Sequence, residues 1–78
     1  MDKKEIKEKI EDLVEEATGI CVGEEDLLLE DEIIDSVSIL YIITELEECY
    51  SIRIELEQVT EEHFRSVNNI TDYILSKM

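Results

Sequence analysis

The chain has 78 residues, with 22 acidic against 7 basic side chains and a formal net charge of −15. A chain this short predicts one domain, spanning residues 1–78, whose small core buries only about 60–65 % of the unfolded surface. Four of the basic residues fall within the first nine positions, so the remainder repels nucleic acid and anionic lipid. We therefore expect neither nucleic-acid binding nor membrane insertion, but protein partners with basic docking surfaces.

The amino terminus and the cysteines indicate the compartment. No apolar segment follows the first residues, and the longest apolar run, 39–43, falls far short of the roughly 18 residues of a membrane span. Cys21 and Cys49 lack CxxC spacing. We expect a cytoplasmic monomer with reduced thiols, in which Cys49 is a small buried filler, while the exposure of Cys21 stays open.

The first 35 residues predict a helix and a long loop. Apolar residues recur at helical spacing over 2–18, and Gly19 is a typical stop signal; the apolar positions are Ile6, Ile10, Leu13, Val14 and Ala17. Residues 19–35 predict a loop that the leucines at 27–29 hold against the bundle. A loop of this length usually has a function.

Residues 36–50 predict a second long helix. Its apolar stripe comprises Val37, Ile39, Leu40, Ile43, Leu46 and Tyr50, and Ile42 widens it. Asp35 and Ser36, at its beginning, are both preferred N-cap residues.

The last third predicts a connector and two further helices. Ile52 and Ile54 alternate inward over 51–54, and residues 56–63 predict a short helix containing Leu56 and Val59. Residues 67–77 predict the final helix, with Ser66 as N-cap and one apolar face formed by Val67, Ile70, Tyr73, Ile74 and Met78. The order predicts an all-α fold, a small four-helix bundle of three longer helices and one short one.

Motifs of enzymatic chemistry are absent from the sequence. There is no glycine-rich phosphate loop, zinc spacing or nucleophile elbow, and the acidic residues at 24–32 lack the spacing of a calcium loop. His63 has no sequence partner, which favours a solvent-facing residue near a helix end. We expect no catalytic residue, no metal site and no enzymatic activity.

Ser36 has two interpretations. It is a plain N-cap in one, where Ser36→Ala costs about 0.5–2 kcal/mol of stability without abolishing function. In the other it is an attachment point: a phosphodiester on its hydroxyl would meet the free N–H groups and positive dipole of the helix N-terminus. Ile34 and Val37 would then offer an apolar seat beside it.

Nearly the whole chain resembles the acyl carrier protein family, which includes the peptidyl and aminoacyl carrier proteins. The resemblance is carried by Asp35-Ser36-Val37 at the loop–helix junction, by the acidic composition and by the order of helices. Residues 27–34, 46–54 and 67–74 look like the family's loop, the end of its second helix and its last helix.

The resemblance implies a function for each part of this junction. Ser36 would receive 4′-phosphopantetheine from coenzyme A through a phosphopantetheinyl transferase and magnesium, and Asp35 would help to position metal and phosphate. The thiol of the arm would hold acyl chains as thioesters in fatty-acid, lipid or polyketide-type biosynthesis. Partner ligases or synthases with basic docking surfaces would contact Val37, Tyr41, Glu45, Glu47 and Glu48.

Three departures from the family pattern keep alternatives open. Val37 stands where the family usually has Leu, Glu32 and Ile33 stand where glycine is frequent, and Ser38 and Tyr41 lie where many fatty-acid carriers have acids. Residues 33–36 look somewhat closer to D-alanyl and aminoacyl carriers, which serve a dedicated ligase. A more distant alternative is an acidic protein-interaction module without modification.

Overall fold

The computed structural model describes residues 2–78. Within that range the chain forms four α-helices, a single 3-10 turn at Leu56–Gln58 and no strand; the helices are α1 (Lys3–Thr18), α2 (Ser36–Tyr50), α3 (Glu61–Phe64) and α4 (Val67–Lys77). The predicted all-α bundle, with a long loop between its first two helices, is confirmed.

Both ends of α1 form as the sequence predicts. The Asp2 carboxylate accepts a hydrogen bond of 3.2 Å from the Lys4 N–H, which satisfies a donor that the first turn leaves without an internal partner. Gly19 ends the helix in the left-handed region, with φ 77°, and its N–H donates to the Glu15 carbonyl. Glycine adopts this conformation without the steric cost that a Cβ imposes.

Helix α1 is the centre of the bundle, because it packs against both α2 and α4. One apolar face of each helix is buried in a common core, which consists mainly of Ile6, Ile10, Leu13, Val14, Ile42, Ile43, Leu46, Phe64, Val67, Ile70 and Ile74. Burial of an aliphatic side chain contributes about 1.5–3 kcal/mol, so this core opposes the conformational entropy of the chain.

The long loop is held at its middle, as predicted. Leu28 is fully buried, and Leu29 packs partly buried against the core. Ile54, and partly Ile52, also turn inward from the connector after α2. The loop therefore belongs to the packed structure up to the start of α2.

The apolar stripe predicted for α2 is too wide. Ile42, Ile43 and Leu46 are buried, but Val37 is 74 % exposed and Leu40 53 % exposed. Helix α2 packs chiefly against α1, and at 100° per residue Val37 and Leu40 lie on its opposite face. A helix at the edge of a small bundle buries one face only.

The predicted helix over 56–63 is also wrong, since a 3-10 turn and the four-residue α3 divide this segment. Val59 and Thr60 leave helical geometry, with ψ angles of 76° and 166°, and Thr60 takes the extended conformation of an N-cap before α3. Both are β-branched residues, which have low helix propensity. Leu56 is exposed, and so is Met78, which was predicted to lie on the apolar face of α4.

Two single-residue predictions are corrected as well. Cys49 is exposed, because its place on α2 is at the edge of the buried face while the neighbouring Tyr50 packs against the core. His63 is half-buried, and its ring lies 4.8 Å from the ring of Tyr73, centroid to centroid. One side of the His63 imidazole therefore contacts the Tyr73 ring instead of solvent.

Candidate modification site at the start of the second helix

Helix α2 begins with Asp35 as its N-cap. The backbone of Asp35 is extended, its carboxylate accepts the Ser38 N–H at 2.9 Å, and its carbonyl accepts the Ile39 N–H at 2.9 Å. Ser36 is therefore the first residue inside the helix. The interpretation of Ser36 as the N-cap is wrong, because the preceding carboxylate already satisfies the donor that a serine cap would serve.

The Ser36 side chain is exposed and its hydroxyl has no structural task. Among the hydrogen bonds formed by residues 2–78, none uses Ser36 Oγ. Beside it, Val37 is exposed, whereas Ile34 is buried in the core. The apolar seat expected on both sides of the serine is thus present only at Val37.

The start of α2 combines a positive helix end with one nearby carboxylate. The first N–H groups of a helix have no acceptor within it and carry its positive dipole end. The Ser38 N–H, and secondarily the Ser38 hydroxyl, hold the pKa of Asp35 below its usual 3.8. Asp35 is therefore ionised at neutral pH, and no other acid lies in the first turn.

A turn in the preceding loop positions this junction. The carbonyl of Leu28 accepts two hydrogen bonds, from Ile33 N–H at 2.9 Å and from Ile34 N–H at 3.2 Å. Glu32, which lies between Leu28 and Ile33 in the sequence, adopts the left-handed conformation with φ 55°. This is the conformation that glycine adopts most readily, so Glu32 occupies a glycine-type position with an ordinary side chain.

Four of the five residues predicted for docking form a stripe along one face of α2, in which Glu45 is half-buried and the other three are exposed. Val37, Tyr41, Glu45 and Glu48 follow one another at spacings of three or four residues, which places them one above the other on a helix. We call these four the docking stripe. The Tyr41 hydroxyl donates to Glu16 on α1 at 2.8 Å, and this bond raises the pKa of Tyr41 above its usual value.

Glu47 lies apart from the docking stripe. It is half-buried, and its carboxylate accepts the N–H of Ile54 at 2.9 Å, fixing the connector that follows α2. Leu40, by contrast, was missed as a docking candidate because it was assigned to the core. Its position one turn after Val37, with Tyr41 alongside, is the signal that would have identified it.

The remaining reactive groups do not assemble into a second site. In the range 2–78 no three His, Cys, Asp or Glu residues lie close enough to hold a metal ion. Cys21 and Cys49 are both free and exposed. Of the helices within 2–78, none combines the length and the apolar character needed to cross a bilayer.

The start of α2 thus combines an exposed serine in the first turn of a capped helix with a long loop that is held against the core at Leu28. The family model described as "Phosphopantetheine attachment site" matches residues 8–74. Because that match spans most of the 78 residues, the chain belongs to the phosphopantetheine attachment family, and the predicted resemblance is confirmed. Domains of this family are the site of covalent 4′-phosphopantetheine attachment. No curated protein matches the chain significantly.

Proposed function

We propose that the protein is an acyl carrier, which holds acyl intermediates as thioesters on a 4′-phosphopantetheine arm attached to Ser36. The arm's thiol would supply the thioester, and the chain itself would deliver the cargo to partner enzymes rather than catalyse a step. The observation that carries the proposal is the exposed Ser36 hydroxyl at the first turn of α2, in a chain that belongs to a phosphopantetheine family.

The other hydroxyls support Ser36 by comparison. Among the other serine and threonine hydroxyls, five donate hydrogen bonds within the structure: Thr18, Thr44, Ser66, Thr71 and Ser76. Ser51 lies at the C-terminal end of α2, where the helix dipole opposes a phosphate, and Ser38 is half-buried against the Asp35 cap. Thr60 is exposed, but it precedes a helix of only four residues.

The start of α2 also fits the charge of the group. A phosphodiester on Ser36 Oγ would lie at the positive end of a 15-residue helix, whose first N–H groups are available as donors. The ionised Asp35 beside it would serve the magnesium ion that accompanies phosphate during loading. Both residues therefore have roles that the chemistry of attachment requires.

The docking stripe suggests how partners would recognise the carrier. It begins with apolar Val37 and Tyr41 and ends with acidic Glu45 and Glu48, while Glu47 contributes at the margin. A partner surface with an apolar patch beside basic residues would complement it. The net charge of −15 would add long-range attraction for the transferase and for ligases or synthases with basic docking surfaces.

Intact mass spectrometry tests the carrier function most directly. Incubation with coenzyme A, magnesium and a broad-specificity phosphopantetheinyl transferase should add the mass of one phosphopantetheine. The gain should be lost in Ser36→Ala and retained in the matched control Ser66→Ala. Absence of any gain with several transferases would overturn the proposal and favour an unmodified acidic interaction module.

A D-alanyl, aminoacyl or peptidyl carrier is a second candidate, favoured by the apolar start of the exposed α2 face. No acid precedes Glu45 on this helix, and Leu40 adds exposed apolar surface next to Val37. Such a face suits a dedicated ligase better than a partner that reads early acids. Incubating the loaded carrier with acyl-ligating and with amino-acid-activating enzymes separates the two, because the mass gained identifies the cargo.

A further inference from the structure

The junction between α3 and α4 is tied to the long loop by both backbone and side chain. The N–H of Leu28 donates to the carbonyl of Arg65 at 2.8 Å, and the N–H of Asn68 donates to the carbonyl of Glu24 at 3.1 Å. The Arg65 guanidinium also pairs with the Glu30 carboxylate at 3.6 Å. Three contacts over four residues of the junction thus hold the loop at Glu24, Leu28 and Glu30.

Leu28 also contacts the segment that leads to the attachment site. Its carbonyl accepts the N–H groups of Ile33 and Ile34, and Ile34 is followed directly by Asp35 and Ser36. Its side chain is fully buried, so the leucine is fixed in the core as well. The peptide groups on both sides of Leu28 therefore link Arg65 to the residue that precedes the cap of α2.

We propose that Arg65 is a positioning residue for modification of Ser36, acting through Leu28 on the start of α2. This inference rests on the proposed attachment at Ser36. When the Arg65–Leu28 contact is intact, the turn over 28–34 presents the Ser36 hydroxyl in one orientation. When it is broken, the docking stripe remains, but the hydroxyl is in place for a smaller fraction of encounters.

This arrangement predicts a specific kinetic signature. The docking stripe lies on α2 and makes none of the contacts that hold the loop, so transferase binding and the KM for the carrier should be preserved. The step that needs an oriented hydroxyl should slow, which lowers kcat. A purely structural role would instead lower stability without separating kcat from KM.

An amide-to-ester replacement at Leu28 tests the contact with every side chain in place. In the synthetic full-length chain, the ester removes the one N–H that donates to Arg65 and also weakens the Leu27 carbonyl as an acceptor. The matched control is an ester at Asp31, because the Asp31 N–H is the donor to that Leu27 carbonyl, at 3.1 Å. Loading is measured by mass under conditions where circular dichroism shows all three chains folded.

We expect the Leu28 ester to lower kcat about fivefold, the factor that one hydrogen bond contributes, with KM changed by less than about twofold. The Asp31 ester should change neither by more than about twofold. Amide exchange should accelerate at Ile33 and Ile34 but not in α1. An unchanged kcat, an equal loss in the control, or exchange that accelerates throughout the bundle would overturn the positioning role.

A charge reversal keeps the test decisive if the Leu28 ester fails to fold. Arg65→Glu and Glu30→Arg should each lower kcat about threefold, and the double variant should restore it, because the pair re-forms with opposite signs. Arg53→Glu is the matched control, since Arg53 pairs with Glu55 away from the loop and the charge change is the same. A double variant as slow as the singles would overturn the proposal.

The two proposals fail in different ways. If the unmodified sequence gains no phosphopantetheine, or if Ser36→Ala still gains it, the attachment at Ser36 is wrong. If the unmodified sequence is loaded and the Leu28 ester and charge-reversal variants are loaded equally fast, only the positioning role is wrong.

Discussion

The dipeptide Ser-Val stands at the start of two helices in this chain, and the two copies differ in solvent exposure. Ser36-Val37 at α2 is exposed, with Val37 on the docking stripe, whereas Ser66-Val67 at α4 is buried. The preceding residue makes the difference. Asp35 caps α2 and leaves Ser36 free, while Arg65 has no acceptor side chain, so Ser66 itself accepts the Asn69 N–H.

The comparison separates capping from presentation. A serine at a helix start is ordinarily used by the backbone, as Ser66 is: its hydroxyl also donates to Asn69 Oδ1 at 2.7 Å. An acidic residue one position earlier takes over the capping and moves the serine one step into the helix. The aspartate of the Asp-Ser pair therefore has a structural reason in addition to any role with metal or phosphate.

The largest expected effect separates these two roles of Asp35. Asp35→Asn keeps a good N-cap but removes the charge, so we expect loading at Ser36 to fall at least about tenfold while the fold persists. The measurement is the initial rate of phosphopantetheine transfer by mass. A rate equal to that of the unmodified sequence would leave Asp35 with the capping role alone.

The dependence of thermal stability on pH in the acidic range provides a control for Asp35→Asn. The pKa of Asp35 is lowered in the folded state, so its stabilising contribution is present above the unfolded value of 3.8 and is lost as pH falls through the folded pKa. Asparagine does not titrate. The difference between the thermal midpoints, Asp35→Asn minus the unmodified sequence, should therefore increase as the pH is lowered from 7 to 3.

The next effect contrasts the two serines. Ser66→Ala should lower the free energy of unfolding by about 1–2 kcal/mol, because it removes a buried cap and both hydrogen bonds of the Ser66 hydroxyl with Asn69. Ser36→Ala should change it by less than about 0.5 kcal/mol, as expected for an exposed residue without a hydrogen bond. Urea unfolding of both variants measures the difference; equal losses would remove the distinction between the two helix starts.

A smaller effect concerns the approach to α2. Glu32→Gly should raise the free energy of unfolding by about 0.5 kcal/mol, since relief of the left-handed conformation at Glu32 outweighs the greater freedom of glycine in the unfolded chain. Glu25→Gly, at an exposed position of the same loop where the structure records no positive φ, is the matched control and should not stabilise. Destabilisation by Glu32→Gly would show that the Glu32 side chain contributes more than its backbone strain costs.

The smallest expected effect concerns the pKa values of two tyrosines, Tyr41 on α2 and Tyr73 on α4. The pKa of Tyr41 is raised mainly by its hydrogen bond to Glu16, and that of Tyr73 mainly by burial. Glu16→Gln should therefore lower the pKa of Tyr41 towards its usual 10 and leave Tyr73 unchanged. Tyrosine ring resonances followed over an alkaline titration read both; a parallel shift of Tyr73 would indicate a general loosening of the bundle.

Helical periodicity was enough to predict the three longer helices and most of the core. Ile6, Ile10, Leu13 and Val14 are buried where the 3.6-residue spacing places them, and Gly19 ends α1 as predicted. Periodicity failed at Val37 and Leu40, because it cannot tell an apolar face that packs against another helix from one that is exposed. The burial of a stripe depends on how many neighbours a helix has, which is a property of the whole bundle.

The residues of the candidate site could be predicted from the sequence, but their conformations and contacts could not. The Asp35-Ser36 pair suggested a cap and an attachment point without saying which residue has which role; only the extended backbone of Asp35 separates them. The contact between Leu28 and Arg65 has no sequence signal, since it joins two peptide groups 37 positions apart. Backbone hydrogen bonds between loops depend on tertiary packing rather than on side-chain identity.

The exposure of both native cysteines has a practical consequence for counting sulfhydryl groups. A colorimetric thiol reagent applied to the folded, unmodified chain should react with Cys21 and Cys49 alike. Pantetheinylation should add one equivalent to that stoichiometry, and occupancy of the arm by cargo should subtract it again. Replacing both cysteines by serine gives a chain in which every reactive equivalent reports the state of the arm.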